Sequence, residues 1–377
     1  MKREYPRLII DLEKIAFNTR QLCAWAKKNH NAHIFGVTKV LCGHPLVAAT
    51  MLRNGCLGIA DSRIDNLARI RDYLTQSTPE LNPPLLLLRL PALSECEEVV
   101  AGADISLNSE MTTLRALNCA AEAQNKIHQA IIMVDMGDLR EGLWSGSREN
   151  WNDILVFFRE ALALPHLKIM GIGLNLACYG GVIPDQENMS NFAELKSWLE
   201  EELDTQFEIV SGGNSSAVPL LIRQQMPQGI NSFRLGESII LGKNVIDRSN
   251  LPGTHQDAVY CESEIIELRE KPSIPLGNTG QNAFGENTGF VDRGIRQRAI
   301  LALGRQDVKF EDLIPCDPGH ILLGASSDHL IVDVSDSKTP LAVGSILRFI
   351  PGYGALLALS TSPYVKTIVL KKMEGLS

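Results

Sequence analysis

The chain has 377 residues, of which 45% are hydrophobic and 21% charged, and a formal net charge of −8. That length exceeds one small core and predicts two domains, and the acidic balance excludes a nucleic-acid partner that needs a basic face. With no apolar run of about eighteen residues and no basic, apolar leader, neither a membrane span nor export is expected, which leaves a cytoplasmic protein.

In chain order, a strand-like run, REYPRLIIDL (3–12), comes first. It leads into DLEKIAFNTRQLCAWAKK, a helical stretch in which Leu12, Ile15, Ala16, Thr19 and Leu22 share one side. Eight short apolar runs follow. They are HIFGVTKV (33–40), CLGIADS (56–62), PLLLLRL (84–90), DISLNS (104–109), QAIIMVDM (129–136), LKIMGIGLN (167–175), FEIVSGGN (207–214) and SFRLGESIILG (232–242). Helical patterns lie between them, such as SRENWNDILVFFREAL with Ser147 as its N-cap. Strands that are apolar throughout and alternate with helices predict a parallel sheet covered on its outer face. Eight such repeats before Gly242 predict a (β/α)8 barrel over residues 1–242.

After Gly242 the rhythm changes. AVYCESEIIELRE, RQRAILALGR, HILLGASSDHLIVDV, SILRFI and YVKTIVLKK read as strands, and PSIPLGNTGQNAFGENTG is a long loop without helical period. A mostly β second domain is expected over 243–377, which residues 1–10 could join. The eight cysteines form no CxxC pair, so no metal site is expected and the thiols read as small hydrophobes of a reducing compartment.

In a barrel of this kind catalytic groups gather at the C-terminal ends of the strands. Those ends carry Lys39, Asp61, Arg89, Asn108, Asp135, Asn175, Ser211–Ser215 and Arg234–Glu237. SGGNSS and RLGE are turns able to offer backbone N–H groups to an anion. A lysine facing a bound phosphate suggests a Schiff base, either with pyridoxal phosphate or with a sugar phosphate. Each feature also has a plainer reading. A strand-end lysine can snorkel or pair with a carboxylate, and SGGNSS can simply start a helix. Arg234 in an apolar strand is different, because a buried guanidinium needs specific acceptors.

Together these segments resemble the fold-type III pyridoxal-phosphate enzymes of the alanine racemase family, and within it the branch of alanine and ornithine racemases. The resemblance spans nearly the whole chain. GVTKV resembles the family's cofactor-lysine strand and implies that role for Lys39. VDMGDLREGLW is similar to the VDTGMGRLG stretch and puts its arginine at Arg140. SGGNSS resembles the phosphate turn, with Asn214 and Ser215 in its roles. INSFRLGESIILG is similar to the strand whose arginine meets the pyridine nitrogen, here Arg234, with the backbone of Gly236 and Glu237 cradling the phosphate. SPYVK resembles the segment whose tyrosine also touches the phosphate, here Tyr364. Asn175 stands where many relatives carry a histidine near the cofactor, and Met133 where many carry a modified lysine. The cofactor implied is pyridoxal 5′-phosphate, and the partner a second copy of the chain, in a homodimer.

The resemblance implies a racemase that interconverts L- and D-amino acids. An arginine at the pyridine nitrogen fits that chemistry, since a permanent cation disfavours ring protonation and shortens the life of a delocalised carbanion. Lys39 would exchange the Cα proton on one face. The opposite face departs from the family, whose tyrosine there is replaced by Arg305 in LALGRQDV. Arg305, Tyr353, Cys178 and Asp307 all stay open for that role. GASSDHLIVDV carries Ser326, Ser327 and Asp328 toward the substrate in the resemblance, and Asp292 is a second acidic candidate. Such a carboxylate could hold the distal ammonium of ornithine or another basic amino acid. Rival readings are an alanine, serine or broad-specificity racemase, a D-amino-acid lyase, a decarboxylase, a pyridoxal-phosphate carrier and an amino-acid-binding protein.

Overall fold

The computed structural model of the chain describes residues 4–29, 31–287 and 289–370. Arg3, Thr288 and residues 371–372 of the runs named above lie outside them. The chain forms two compact units, Leu12–Gln256, and Met1–Asp11 with Asp257–Ser377.

The chain opens with β1 (Arg7–Asp11), which belongs to the second unit. The first unit is a closed parallel barrel. Its strands are β2 (His33–Val37), β3 (Gly58–Asp61), β4 (Leu85–Leu87), β5 (Ile105–Asn108), β6 (His128–Asp135), β8 (Leu167–Leu174), β9 (Ile209–Ser211) and β10 (Ser232–Leu235). A two-residue strand, β7 (Leu143–Trp144), pairs beside β6. β5 pairs with β6 and β10 with β2, so no open edge remains among these eight. The strands are almost wholly buried, as a parallel sheet covered by helices requires, and most of their residues are apolar. Phe35, Val37, Ala60, Leu86, Leu107, Ile131 and Met133 fill one continuous core.

The covering helices are α1 (Leu12–Lys28), α2 (Pro45–Arg53), α3 (Ile64–Ser77), α4 (Cys96–Gly102), α5 (Met111–Ala123), α6 (Arg148–Leu162), α7 (Gln186–Leu203), α8 (Val218–Arg223) and α9 (Glu237–Leu241). On α1, Ile15, Thr19 and Leu22 are buried, as the helical spacing expects. Ser147 caps α6 by accepting from the Asn150 N–H. The run SFRLGESIILG is not one strand. β10 ends at Leu235 and α9 begins at Glu237, because the chain turns at Gly236 between them and stops again at Gly242 with φ +61°. The barrel unit continues past Gly242 to Gln256. Buried Asn18 explains this: its Nδ2 donates to the carbonyls of Ile239 and His255 at 2.9 and 2.8 Å, and its Oδ1 accepts from the His255 N–H at 2.7 Å.

The second unit is mostly antiparallel. Its strands are β11 (Val259–Pro272), β12 (Ile295–Leu301), β13 (Leu313–Pro315), β14 (Ile321–Ala325), β15 (Leu330–Asp333), β16 (Ile346–Pro351) and β17 (Lys366–Leu370). They run in the order β13-β16-β11-β12-β15-β14, and β1 joins through β11 and β17. The unit is mostly β, as expected, and also holds a helix that no run had suggested, α10 (Tyr353–Thr361). Its sequence, YGALLALST, is apolar on every side, so no 3.6-residue stripe announces it.

One buried polar group gives the barrel an acid limit. His128 Nε2 lies 2.8 Å from Ser106 Oγ, which also accepts from Asn108 Nδ2 at 2.9 Å. Desolvation lowers the His128 pKa to about 4. The folded chain therefore keeps this ring neutral where the unfolded chain protonates it, below about 6.5. The stability involved is present above that pH and is lost as pH falls toward the folded value, by roughly 3 kcal/mol. Urea denaturation across this interval should show a shallower acid loss for His128→Asn; equal slopes would contradict the assignment.

Candidate active site at the barrel mouth

β2 ends at Val37, so Lys39 does not extend the strand but opens a short 3-10 turn, Lys39–Leu41. The residue is half-buried. Its neighbour Thr38 is buried and donates to Asp61 Oδ2 at 2.7 Å. Asp61 also accepts from Asn66 Nδ2 at 2.8 Å and the Arg63 N–H at 3.1 Å. Burial raises the Asp61 pKa against these donors. Asp61 thus anchors the turn that carries Lys39. The other rim residues are similarly engaged: Arg89 pairs with Glu95, and Asp135 accepts from the Gly137 N–H at 2.9 Å.

Arg234 on β10 is only 3% exposed. Its Nη1 donates to Ser211 Oγ, and its Nη2 to the Leu174 carbonyl and Asn175 Oδ1, both at 2.7 Å. All three acceptors are neutral, and Nε has no acceptor among the described residues. Desolvation lowers the Arg234 pKa to about 10, while the nearby charge of Glu141 opposes it.

Between β9 and α8 the chain forms the expected turn. Gly213 has φ +100°, a conformation that favours glycine. Ser215 Oγ faces the N–H groups of Gly236 and Ser238 at 3.4 and 3.3 Å. A Cβ on Gly236 would fall 2.9 Å from both Val37 Cβ and the Val37 carbonyl oxygen, so the backbone there stays bare. Asn214 is held within the turn by its side chain. Its Oδ1 accepts from the Ser216 N–H at 2.8 Å and its Nδ2 donates to the Leu176 carbonyl at 2.9 Å, so its side chain shapes the turn. Glu237 pairs with Arg248 through its side chain.

Arg140 pairs with Glu141, and Asn175 Nδ2 donates to the same carboxylate. Asp138 accepts from the N–H groups of Cys178, Tyr179 and Val182 at 3.0, 2.9 and 3.2 Å, which ties the two loops together. Burial opposes its ionisation, but these donors outweigh it and hold its carboxyl below the usual range. Cys178 accepts from Asn214 Nδ2 at 3.1 Å. Desolvation raises its thiol pKa; it feels the charges of Arg140, Glu141, Lys39 and Asp138. Lys39, Arg140, Glu141, Asn175, Cys178, Asn214 and Arg234 therefore form one electrostatic cluster. Glu141 and Ser238 were not foreseen. The carboxylate beside Arg140 in LREG was the one available signal.

The remaining predicted residues lie in the β unit. Arg305 donates to both oxygens of Glu286 at 2.8 Å and stacks on Phe284, 4.4 Å from its ring centre. The bonds to Glu286 raise its pKa. It is thus a fixed cation that holds its proton more firmly than a free arginine. The turn Ser326–Asp328 is tied to it, since the Arg305 N–H donates to the Ser326 carbonyl at 2.9 Å. Ser327 and Asp328 are exposed, and Asp328 lies 3.1 Å from His329 Nδ1. Asp292 accepts from Ser273 Oγ at 3.1 Å and the Gly294 N–H at 2.9 Å, closing a loop turn. Tyr353 is the first residue of α10, whose N-terminus Asp312 holds by accepting from Gly354 and Ala355 at 2.7 and 3.1 Å. Asp307 accepts from Ser362 Oγ at 2.6 Å. Tyr364 is exposed just before β17.

Residues 10–243 match the family described as alanine racemase, N-terminal domain. The chain belongs to the alanine racemase family. Among curated relatives of this family, an ornithine racemase from Acetoanaerobium sticklandii is 42% identical over 97% of this chain and 100% of its own length. A lysine racemase from Thermotoga maritima is 38% identical over 97% of this chain and 98% of its own. The alanine racemase of D-cycloserine-producing Streptomyces lavendulae shares the fold, with a TM-score of 0.75 and 15% identity over 99% of both chains.

Pyridoxal phosphate is the cofactor of this alanine racemase family, and the donor set fits it. A buried cationic donor with an open Nε, a hydroxyl with two backbone N–H groups, and an amine on the adjoining turn suit a ring acceptor, a phosphate and an aldehyde. Because Ser211 supplies the acceptor for Arg234 Nη1, Ser211→Ala should lower stability by about 1–3 kcal/mol in urea denaturation. An unchanged midpoint would show that the guanidinium finds another acceptor there.

Proposed function

We propose that the chain is a pyridoxal-phosphate-dependent racemase of basic amino acids, with ornithine or lysine as substrate. The observation that carries it is Lys39 in one charged cluster with a buried arginine, Arg234, where an electron-withdrawing site would place a carboxylate. The two curated relatives, named ornithine racemase and lysine racemase, support the substrate class.

Pyridoxal phosphate, when bound, supplies the electron sink that acidifies the Cα–H of an amino acid. Lys39 Nζ takes and returns that proton on one face. Arg234 offers Nε–H to a ring acceptor and, as a cation, opposes a second proton there. Ser215 with the N–H groups of Gly236 and Ser238 would hold the phosphate, and Arg140 would add a further positive charge to the site. On the opposite face Tyr353 is the favoured acid/base of the β unit, since Arg305 is fixed by Glu286. Asp328, exposed on its turn, receives the distal ammonium of the substrate. The active form is a cytoplasmic homodimer. Eight free thiols support the reducing compartment, and the family resemblance supports the dimer.

Deuterium exchange at Cα, measured for both enantiomers of ornithine, lysine, alanine and serine, tests this reading. Ornithine and lysine should exchange from either enantiomer, faster than alanine or serine. Lys39→Ala should slow exchange by about 10²–10⁴-fold. No exchange with any of the four would sink the proposal.

A further inference from the structure

Glu141 stands at the centre of the barrel-mouth network and has no role in the reading above. Its side chain is 13% exposed. Arg140 donates to it through Nε and, at 2.6 Å, through Nη2, so the pair is a two-point fork. The oxygen that meets Nη2 also accepts from Asn175 Nδ2. The other end of that amide, Oδ1, accepts from Arg234 Nη2 at 2.7 Å. A continuous chain therefore runs Arg140–Glu141–Asn175–Arg234.

The direction of each bond in this chain depends on Glu141. An ionised carboxylate only accepts hydrogen bonds, so the Asn175 amide must turn its NH2 toward Glu141. Its oxygen is then the end that faces Arg234. The same carboxylate takes the Nε and Nη2 edge of Arg140 and leaves the Nη1 edge for an anionic ligand. Both carboxylate oxygens are engaged within the network, Oε1 by Arg140 and Asn175 and Oε2 by Arg140.

We propose that Glu141 is the positioning residue of this site, fixing the guanidinium plane of Arg140 directly and that of Arg234 through Asn175. The inference rests on the racemase reading of the same site. Glu141→Gln keeps the length but turns one acceptor into a donor. That donor opposes an N–H of Arg140 or of Asn175, so one of the two is released. Glu141→Asp keeps both acceptors on a shorter arm.

The test uses the full chain and three variants, Glu141→Gln, Glu141→Asp and Asn175→Ala. It measures kcat and KM for Cα exchange, the visible absorption band of the loaded protein, the affinity of the cofactor-free protein for pyridoxal phosphate, and the thermal midpoint. Glu141→Gln should lower kcat/KM by about 10- to 100-fold, as expected when a charged hydrogen bond is lost. It should also shift the band and weaken cofactor affinity. Glu141→Asp should recover part of each, and Asn175→Ala should reproduce the band shift. If Glu141→Gln does not fold, the other two variants decide on the same readouts. A lower thermal midpoint with an unshifted band and unchanged cofactor affinity overturns the proposal, because Glu141 would then only fasten its loop. An unsubstituted chain that binds pyridoxal phosphate but racemises nothing overturns the racemase reading instead, and the band and affinity of the variants still decide the role of Glu141.

Discussion

The barrel depends on satisfying one buried guanidinium. Arg234 sits in a fully buried strand, and its acceptors come from three places: the end of β8, the residue that follows it, and the end of β9. These positions converge only if the strands close in one register, with Ser232 beside Ser211 and Gly173 beside Ser211. A slip of one residue would turn Ser211 away and leave the cation without its partner. Removing a buried charge from its acceptors is far more costly than removing an apolar contact. The arginine therefore helps to specify the closure alongside the hydrophobic core.

Much of this was legible in the sequence because it rests on local pattern. Apolar runs buried on both faces announce parallel strands, and their number announces the barrel. GVTKV, SGGNSS and RLGE mark strand ends where the backbone turns, and the structure puts those turns on the barrel unit. The boundary between strand and helix in SFRLGESIILG was not legible, since Ile239, Ile240 and Leu241 are equally buried in either form. Nor was α10, whose buried and exposed faces are made of the same residue types.

What pattern cannot show is which polar groups meet across the chain. The Asn214 side chain bonds within its own turn, and Glu141, which no motif singled out, joins Arg140 to Asn175. The partners lie 34 residues apart in the second case, beyond any spacing rule. Arg305 shows the converse. Its type alone made it a poor proton carrier, and its setting between Glu286 and two aromatic rings, Phe284 and Phe310, makes it poorer still.

The bare backbone at Gly236 has an evolutionary corollary. Any side chain there would collide with Val37, on the strand that leads to Lys39, so the turn at Gly236 and the turn that carries Lys39 constrain one another's sequence. Ser327 and Asp328 lie on an exposed turn and are under no such packing constraint. Lineages that share this chain's ancestor could exchange residues freely at that turn while the bare backbone at Gly236 stays unchanged. Substrate range would then diverge faster than reaction type.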